Sequence, residues 1–290
     1  MPKQDAQLTE IMKTNQSIIW FTAHKCASVY AIEILHKLSQ DVGTTYINYE
    51  GDLWEVGQSF ANFFTEKSFD VCTKTSHIYG PFRQYYSIPE MEEYKIIMML
   101  RDPRDVLTSL YFSTAYSHYI PESQKTEMKL AREDARMKNI DDFVIEHSPW
   151  VRATYNLYTK YLFGKKNVLF LKYEDMITNF PAWLKEIFKH LDITPSEQLI
   201  KELIDGAKFE VKEDIYAHKR QVKAGDHRRK LQVNTIKELN LQFQDILKIY
   251  GWLTKTSQAE NELFELTLDR AISRLDNFQF LLQSQHDFSA

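Results

Sequence analysis

Four short apolar runs alternate with helical patterns over the first two thirds of the chain. They are Ser17–Thr22, Phe69–Lys74, Tyr94–Leu100 and Asn167–Lys172, all rich in Ile, Val, Phe and Met. Continuous runs of this length suit strands buried on both faces of a parallel sheet better than half-exposed antiparallel strands. Ser28 to Leu38 places Ala31, Ile34, Leu35 and Leu38 on one helical face, which predicts the first crossover helix. Asp105–Tyr116 predicts another helix, opening straight after the third run. Trp183–Leu191, with Trp183, Leu184, Ile187, Phe188 and Leu191 on one stripe behind Pro181, predicts a third. The pattern therefore predicts an α/β fold, an open parallel sheet flanked by helices, with ligand loops at the carboxyl ends of its strands.

Two stretches leave alternatives open. Tyr116–Asp142 is polar and charge-rich, and reads either as a cover over a site or as a solvated helix pair. Beyond Trp252, Phe264, Leu268, Ala271, Leu275, Phe278 and Leu282 follow a four-three-four-three-four spacing. That stripe suits a terminal helix lying on its own domain, or a self-association helix that would make a homodimer. The expected organisation is an α/β domain over residues 1–253 and a C-terminal helical extension over 254–290.

Composition narrows the function. Hydrophobic residues make up 43% of the 290 positions, with 18 Phe and 16 Tyr, enough for a full core. The 36 basic and 40 acidic residues give a formal charge of -4, which disfavours a nucleic-acid partner. The start is polar and no 18-residue apolar run exists, so the expectation is a cytoplasmic protein without a membrane partner. Cys26 and Cys72 are too few and too far apart for a disulfide framework or a tetrahedral metal site, so no metal is expected.

The chemistry concentrates at two strand ends. In Ile18–Tyr30, IIWFTAHKCASVY, an apolar run empties into a short loop and a helix follows at once. Backbone N–H groups at such a helix start can seat a phosphate, with Lys25 as a point charge. The loop has no glycine, and no Gly-Lys-Ser/Thr follows; Cys26 stands after Lys25, which argues against a phosphate kinase. The third run ends in IIMMLRDPRDVLTSLYFS, where Arg101 leaves the strand and Ser109 lies two turns into the helix. An arginine there can clamp a phosphate bidentately; alternatively Asp102, Arg104 and Asp105 form a network that pins the loop. Two phosphate sites on neighbouring strand ends fit a nucleotide phosphorylated at both ends of its ribose.

On these stretches the chain resembles the sulfotransferases that use 3'-phosphoadenosine 5'-phosphosulfate (PAPS). The resemblance runs from about Ile18 to Leu253, with its elements in the family's order, and implies the sulfotransferase form of a P-loop-type sheet. It implies that the loop His24, Lys25, Cys26, Ala27, Ser28, Val29 and Tyr30 holds the 5'-phosphosulfate, with Lys25 matching the loop lysine. Arg101 and Ser109, eight apart, match the pair that holds the 3'-phosphate. Tyr173 in LKYEDM matches a tyrosine near the adenine, and Phe209 an aromatic on the base. RQVKAGDHRRK matches a late phosphate-clamping loop and carries over Arg220, Gly225 and Asp226, with Lys223 adding charge. Departures are equally specific: Ala27 stands for a glycine, Val29 for a hydroxyl residue, and Gln221, Val222 and His227 for Lys, Gly and Trp.

The resemblance implies in-line transfer of a sulfuryl group to a hydroxyl or amine of a small molecule, leaving adenosine 3',5'-bisphosphate. His77, in CTKTSHIYGPF, follows the second apolar run and is the leading base, although the family's Lys-Thr-His is here one residue longer. Lys25 would neutralise the leaving oxygen, and His24 is the alternative base. Glu50, Asp52 and Glu55 beside Tyr49 and Trp54 suggest a cationic acceptor, with His118 and Tyr119 bordering it; solvated carboxylates are the competing reading. A carbohydrate or lipid acceptor, and a non-catalytic nucleotide-binding or interaction protein, remain alternatives.

Overall fold

The structure is a computed structural model and describes residues 16–58, 60, 62–63, 71–207, 209, 212–217 and 220–253. Five strands, β1 (Ile18–Thr22), β2 (Thr45–Ile47), β3 (His77–Phe82), β4 (Lys95–Leu100) and β5 (Val168–Lys172), form one sheet in the order β2-β3-β1-β4-β5. Every pairing is parallel. Thr22 pairs with Met99 and Leu100 with Lys172, so β1, β4 and β5 end level and deliver their loops to one edge. That is the edge at which open α/β sheets bind ligands.

Three of the four apolar runs are strands. The fourth is corrected: residues 71–74 form a turn and loop, and the strand begins at His77. The segment HIYGPF hides in the sequence because Gly-Pro reads as a turn. Here Gly80 takes φ +106°, and a Cβ on it would lie 2.5 Å from the Trp20 carbonyl oxygen, so only glycine lets β3 approach β1 this closely. The edge strand β2 is three residues long and gives no periodic signal.

The flanking helices are α1 (Ser28–Asp41), α2 (Tyr49–Glu55), α3 (Pro103–Phe112), α4 (Lys125–Met137), α5 (Ile140–Tyr161), α6 (Tyr173–Thr178), α7 (Phe180–Leu191), α8 (Glu197–Gly206) and α9 (His227–Lys230). Asp102 caps α3 by accepting from the Arg104 N–H, and Pro103 opens it. A π-helical turn, Ser113–Ser117, extends α3, while the polar stretch after it resolves into α4 and the start of α5. Strand alternation sorts the core. Ile18, Trp20, Ile97 and Met99 pack with Ile34, Leu35 and Leu38 of α1 and Trp183, Leu184 and Ile187 of α7. Phe21 turns to the other face, with ring centroids 5.6 Å from Phe82 and 6.2 Å from Tyr158 of α5.

The chain divides into two compact units at Gln232. The first holds the sheet and every candidate site residue. In the second, α10 (Val233–Gln242) and α11 (Gln244–Ile249) bury Leu239, Phe243, Ile246 and Leu247. The stripe Phe264–Leu282, and with it the self-association reading, lies outside the described residues. Among the described residues no helix is long and apolar enough to cross a membrane.

Two tyrosines of α5, one turn apart, finish the strand ends. Tyr158 Oη donates to the Thr22 carbonyl at 2.5 Å, and Tyr155 Oη donates to that of Arg101. The loop that leaves Thr22 is bent hard: Lys25 and Ala27 both sit in the left-handed region, at φ 63° and 59°. A non-glycine residue there costs roughly 1–2 kcal/mol. Replacing Ala27, which also caps α1 without a side-chain bond, by glycine should relieve part of it. Ala27→Gly is expected to raise stability by ~0.5–1 kcal/mol, a melting shift of about 1–4 °C, read by thermal unfolding. A lower melting temperature would contradict the strained loop.

Candidate active site

Lys25 does not point into open water. Its Nζ donates to Ser113 Oγ at 2.8 Å, in the π-helical turn. Burial, then the charges of Arg101 and Arg83, lower its pKa to about 8. Cys26 lies wholly buried behind the loop, its thiol toward the His24 carbonyl oxygen at 3.6 Å. Burial pushes that thiol up to about 12, so it is no nucleophile. The Ala27 carbonyl accepts from Tyr30 and Ala31 N–H, and the N–H groups ahead of them fall outside the ladder of α1.

Arg101 is buried at the carboxyl end of β4. It donates through Nη1 to the Lys25 carbonyl (3.3 Å) and through Nη2 to the Lys223 carbonyl (3.0 Å). Its guanidinium stacks 4.4 Å over the Tyr173 ring. Its Nε is buried without a hydrogen-bond partner among the described residues, an unused donor that fits a phosphate oxygen. Beneath it, the fully buried Asp105 accepts from Gly225 N–H (2.7 Å), His227 N–H (2.9 Å) and the His227 ring (2.6 Å). Burial works against this carboxylate, yet the His227 bond and the Arg101 charge hold its pKa far below the usual range. Arg220 is bound by Glu213 at 2.5 Å and by Asp226, and lies 4.3 Å over the Phe112 ring.

These groups surround a cavity of about 310 Å³. Of the residues singled out in the sequence, Lys25, Ala27, Ser28, Val29, Tyr30, Arg101, Ser109, Tyr173, Phe209, Arg220, Gln221 and Val222 line it. Phe209 meets the Tyr30 ring at 5.9 Å and that of Phe180 at 5.4 Å. The others stand differently. Lys223 offers Arg101 its carbonyl while its side chain is exposed, and Gly225 is held by Asp105, so both shape the loop rather than line the cavity. Asp102, Arg104 and Asp105 do form the loop-pinning network, with Arg104 clasping Asp102 at 2.6 Å. That network and the Arg101 site coexist.

His77 is a correction. It is the first residue of β3, at the amino edge of the sheet, and its backbone N–H donates to Ser17 Oγ. Its ring bonds Thr73 Oγ1 at 2.8 Å and the Thr75 carbonyl at 2.9 Å. A six-residue strand, about 16 Å at ~3.3 Å per residue, separates it from the Lys25 edge, so it cannot serve as base there. Arg83 follows the carboxyl end of β3 instead.

A second cavity, of about 630 Å³, is lined by His24, Glu50, Trp54, Phe60, Arg83 and Tyr86 among others. His24, which lines it, is followed at once by Lys25, which lines the first. Burial, then Arg83 and Lys25, lower the His24 pKa to about 3, so its imidazole is neutral throughout the physiological range. The acidic trio splits: the Glu50 side chain is largely buried and paired with Arg83 at 3.2 Å, whereas Asp52 and Glu55 are exposed. Tyr49 stacks on Phe60 and Tyr79, and His118 meets the Trp54 ring at 6.1 Å; Tyr119 is exposed. The sequence pattern does not point to Arg83 or Ser113, the first because the pattern places the strand before His77, the second because it lies one turn past Ser109. Among the described residues no three His, Cys, Asp or Glu cluster as metal ligands.

Known structures share this architecture. Mouse sulfotransferase SULT7A1, crystallised with PAP, is similar at a TM-score of 0.56 and 15% identity, over 90% of this chain and 94% of that one. Retinol dehydratase in complex with retinol and PAP is similar at 0.55 and 15%, over 83% and 84%. At such identities the likeness concerns the fold. No curated protein sequence matches the chain. The sulfotransferase domain family matches residues 75–251, more than half of the chain, and this protein belongs to that family of enzymes.

Proposed function

We propose that the protein moves the sulfuryl group of PAPS to a hydroxyl or amine of a small molecule and releases adenosine 3',5'-bisphosphate. One observation carries this: Lys25, Arg101 and Arg220, from three separate segments, converge on one cavity whose walls include the rings of Tyr30, Tyr173 and Phe209. Three cations with aromatic plates fit an anionic nucleotide with phosphate at both ends of its ribose. The PAP bound in the similar SULT7A1 and retinol dehydratase structures supports the same reading.

Arg101 and Ser109 take the 3'-phosphate and Arg220 reinforces them. Lys25, Ser28 and the N–H groups opening α1 take the 5'-phosphosulfate. Lys25 neutralises the charge that builds on the bridging oxygen as its bond to sulfur breaks. His24 lines the second cavity and takes the proton from the acceptor as the new bond to sulfur forms. Burial and the charges of Arg83 and Lys25 depress its basicity in the free protein, and the anionic nucleotide offsets those charges. Tyr173 and Phe209 enclose the adenine region. The acceptor enters through the second cavity. For a cationic acceptor the support is Trp54 with Glu122 and Glu127 in the lining; Glu50 is neutralised by Arg83.

The direct test is a screen of small-molecule acceptors with PAPS, reading sulfated products by mass and including cationic natural products. A product from the wild type, with turnover lost at least ~100-fold in His24→Ala and nucleotide affinity kept, is the expected result. Unchanged turnover in that variant would reject His24 as base. Lys25 adds a pH signature. Its free-protein pKa of about 8 means the cation is present below pH 8 and lost above it. A bound anion raises that pKa, so affinity for adenosine 3',5'-bisphosphate should hold steady to pH 8 and then fall by up to ~10-fold per unit. Affinity that stays flat to pH 9.5 would remove Lys25 from the site.

A further inference from the structure

The roles above give no task to Arg83, a cation in the lining of the second cavity. Arg83 is the first residue beyond the carboxyl end of β3 and lines the second cavity, beside Ser28 of the first. Its backbone N–H donates to Glu50 Oε1 at 2.9 Å, and its Nη1 donates to Glu50 Oε2 at 3.2 Å. Its Nε donates to Ser28 Oγ at 3.2 Å, the hydroxyl that opens α1. The two side chains are only 22% and 10% exposed. A pair this withdrawn from water is a weak source of stability in itself. It also stands against other cationic or protonatable groups, since the Arg83 charge depresses both His24 and Lys25. That crowding of positive charge is unfavourable in the free protein and becomes favourable once an anion lies between the groups.

The geometry points to Arg83 as a further catalytic residue that clamps the non-bridging oxygens of the transferring sulfuryl group, held in place by Glu50. This rests on the PAPS reading. During transfer the bond from sulfur to the bridging phosphate oxygen breaks and the bond from the acceptor oxygen or nitrogen to sulfur forms. The acceptor proton goes to His24. Arg83 gains and loses no proton, and holds oxygens that stay on sulfur throughout. Its planar fork meets two of them at once, which a point charge such as Lys25 does not do. Glu50 is the positioning residue: it accepts from both the backbone and the guanidinium of Arg83, and so fixes the fork relative to Ser28.

The test compares two nucleotides that differ by the sulfuryl group alone, using calorimetry on the full chain without acceptor. In Arg83→Gln, affinity for PAPS is expected to fall ~10-fold or more, as for a lost charge-assisted bond, while affinity for adenosine 3',5'-bisphosphate stays within about twofold. Arg83→Lys, which keeps the charge without the fork, should recover part of the PAPS loss. Equal weakening of both nucleotides would mean that Arg83 serves the loop through Ser28, and would overturn the assignment; so would unchanged PAPS binding. If Arg83→Gln does not fold, Arg83→Lys decides alone: a loss confined to PAPS supports the clamp, and no loss rejects it. Wild-type protein that binds neither nucleotide would overturn the PAPS reading itself, a result distinct from failure of the clamp.

Discussion

The site depends on how three cations are kept together, largely out of water, before any anion arrives. Lys25, Arg101 and Arg220 repel one another, and desolvation adds to the cost. The protein offsets this from beneath. Asp105 lies 3.8 Å from Arg101 and at the same time holds Gly225 and His227 of the late loop. Asp226 and Glu213 do the same for Arg220. These carboxylates stand behind the cations rather than in the cavity, so the positive edges stay turned to the ligand. Asp105 thus ties the start of α3 to a loop 120 residues later, and the Arg101 and Arg220 sides of the cavity become one object.

The backbone carries its share of the load. Parallel strands that end level put the exits of β1 and β4 side by side, and the tyrosines of α5 cap the carbonyls there. The loop after β1 does without glycine at a left-handed position and accepts strain at Lys25 and Ala27. Strain of this kind persists where the surroundings over-determine it. Here the Lys25 tether to Ser113 and the Arg101 bond to the Lys25 carbonyl hold the loop from two sides.

Much of this was legible in the sequence. Continuous apolar runs gave β1, β4 and β5, and the spacing of Arg101 and Ser109 marked one side of a cavity that both residues line. What failed was β3. Gly80-Pro81 looks like a turn, so local pattern places the strand at Phe69–Lys74 and His77 beyond its carboxyl end, whereas His77 opens the strand. Shifting the strand forward by eight residues replaces a histidine with Arg83 at the reactive end. Local pattern could not show this, because what permits the strand is a contact between Gly80 and the Trp20 carbonyl, distant in sequence. Asp105 was visible only as a loop-pinning residue, since its partners lie more than a hundred positions away. Lys223 and Gly225 act here through their backbones, and motif spacing does not distinguish a side chain that faces a ligand from a carbonyl that orients one.

The central claim is a single site built for two phosphates on one nucleotide. Calorimetry with adenosine 3',5'-bisphosphate beside adenosine 5'-monophosphate and adenosine 3'-monophosphate tests it most directly. The account predicts that the bisphosphate binds at least ~100-fold tighter than either monophosphate, since each phosphate meets its own charged clamp, and that Arg101→Ala erases its advantage over the 5'-monophosphate. Equal affinity for all three nucleotides would contradict it.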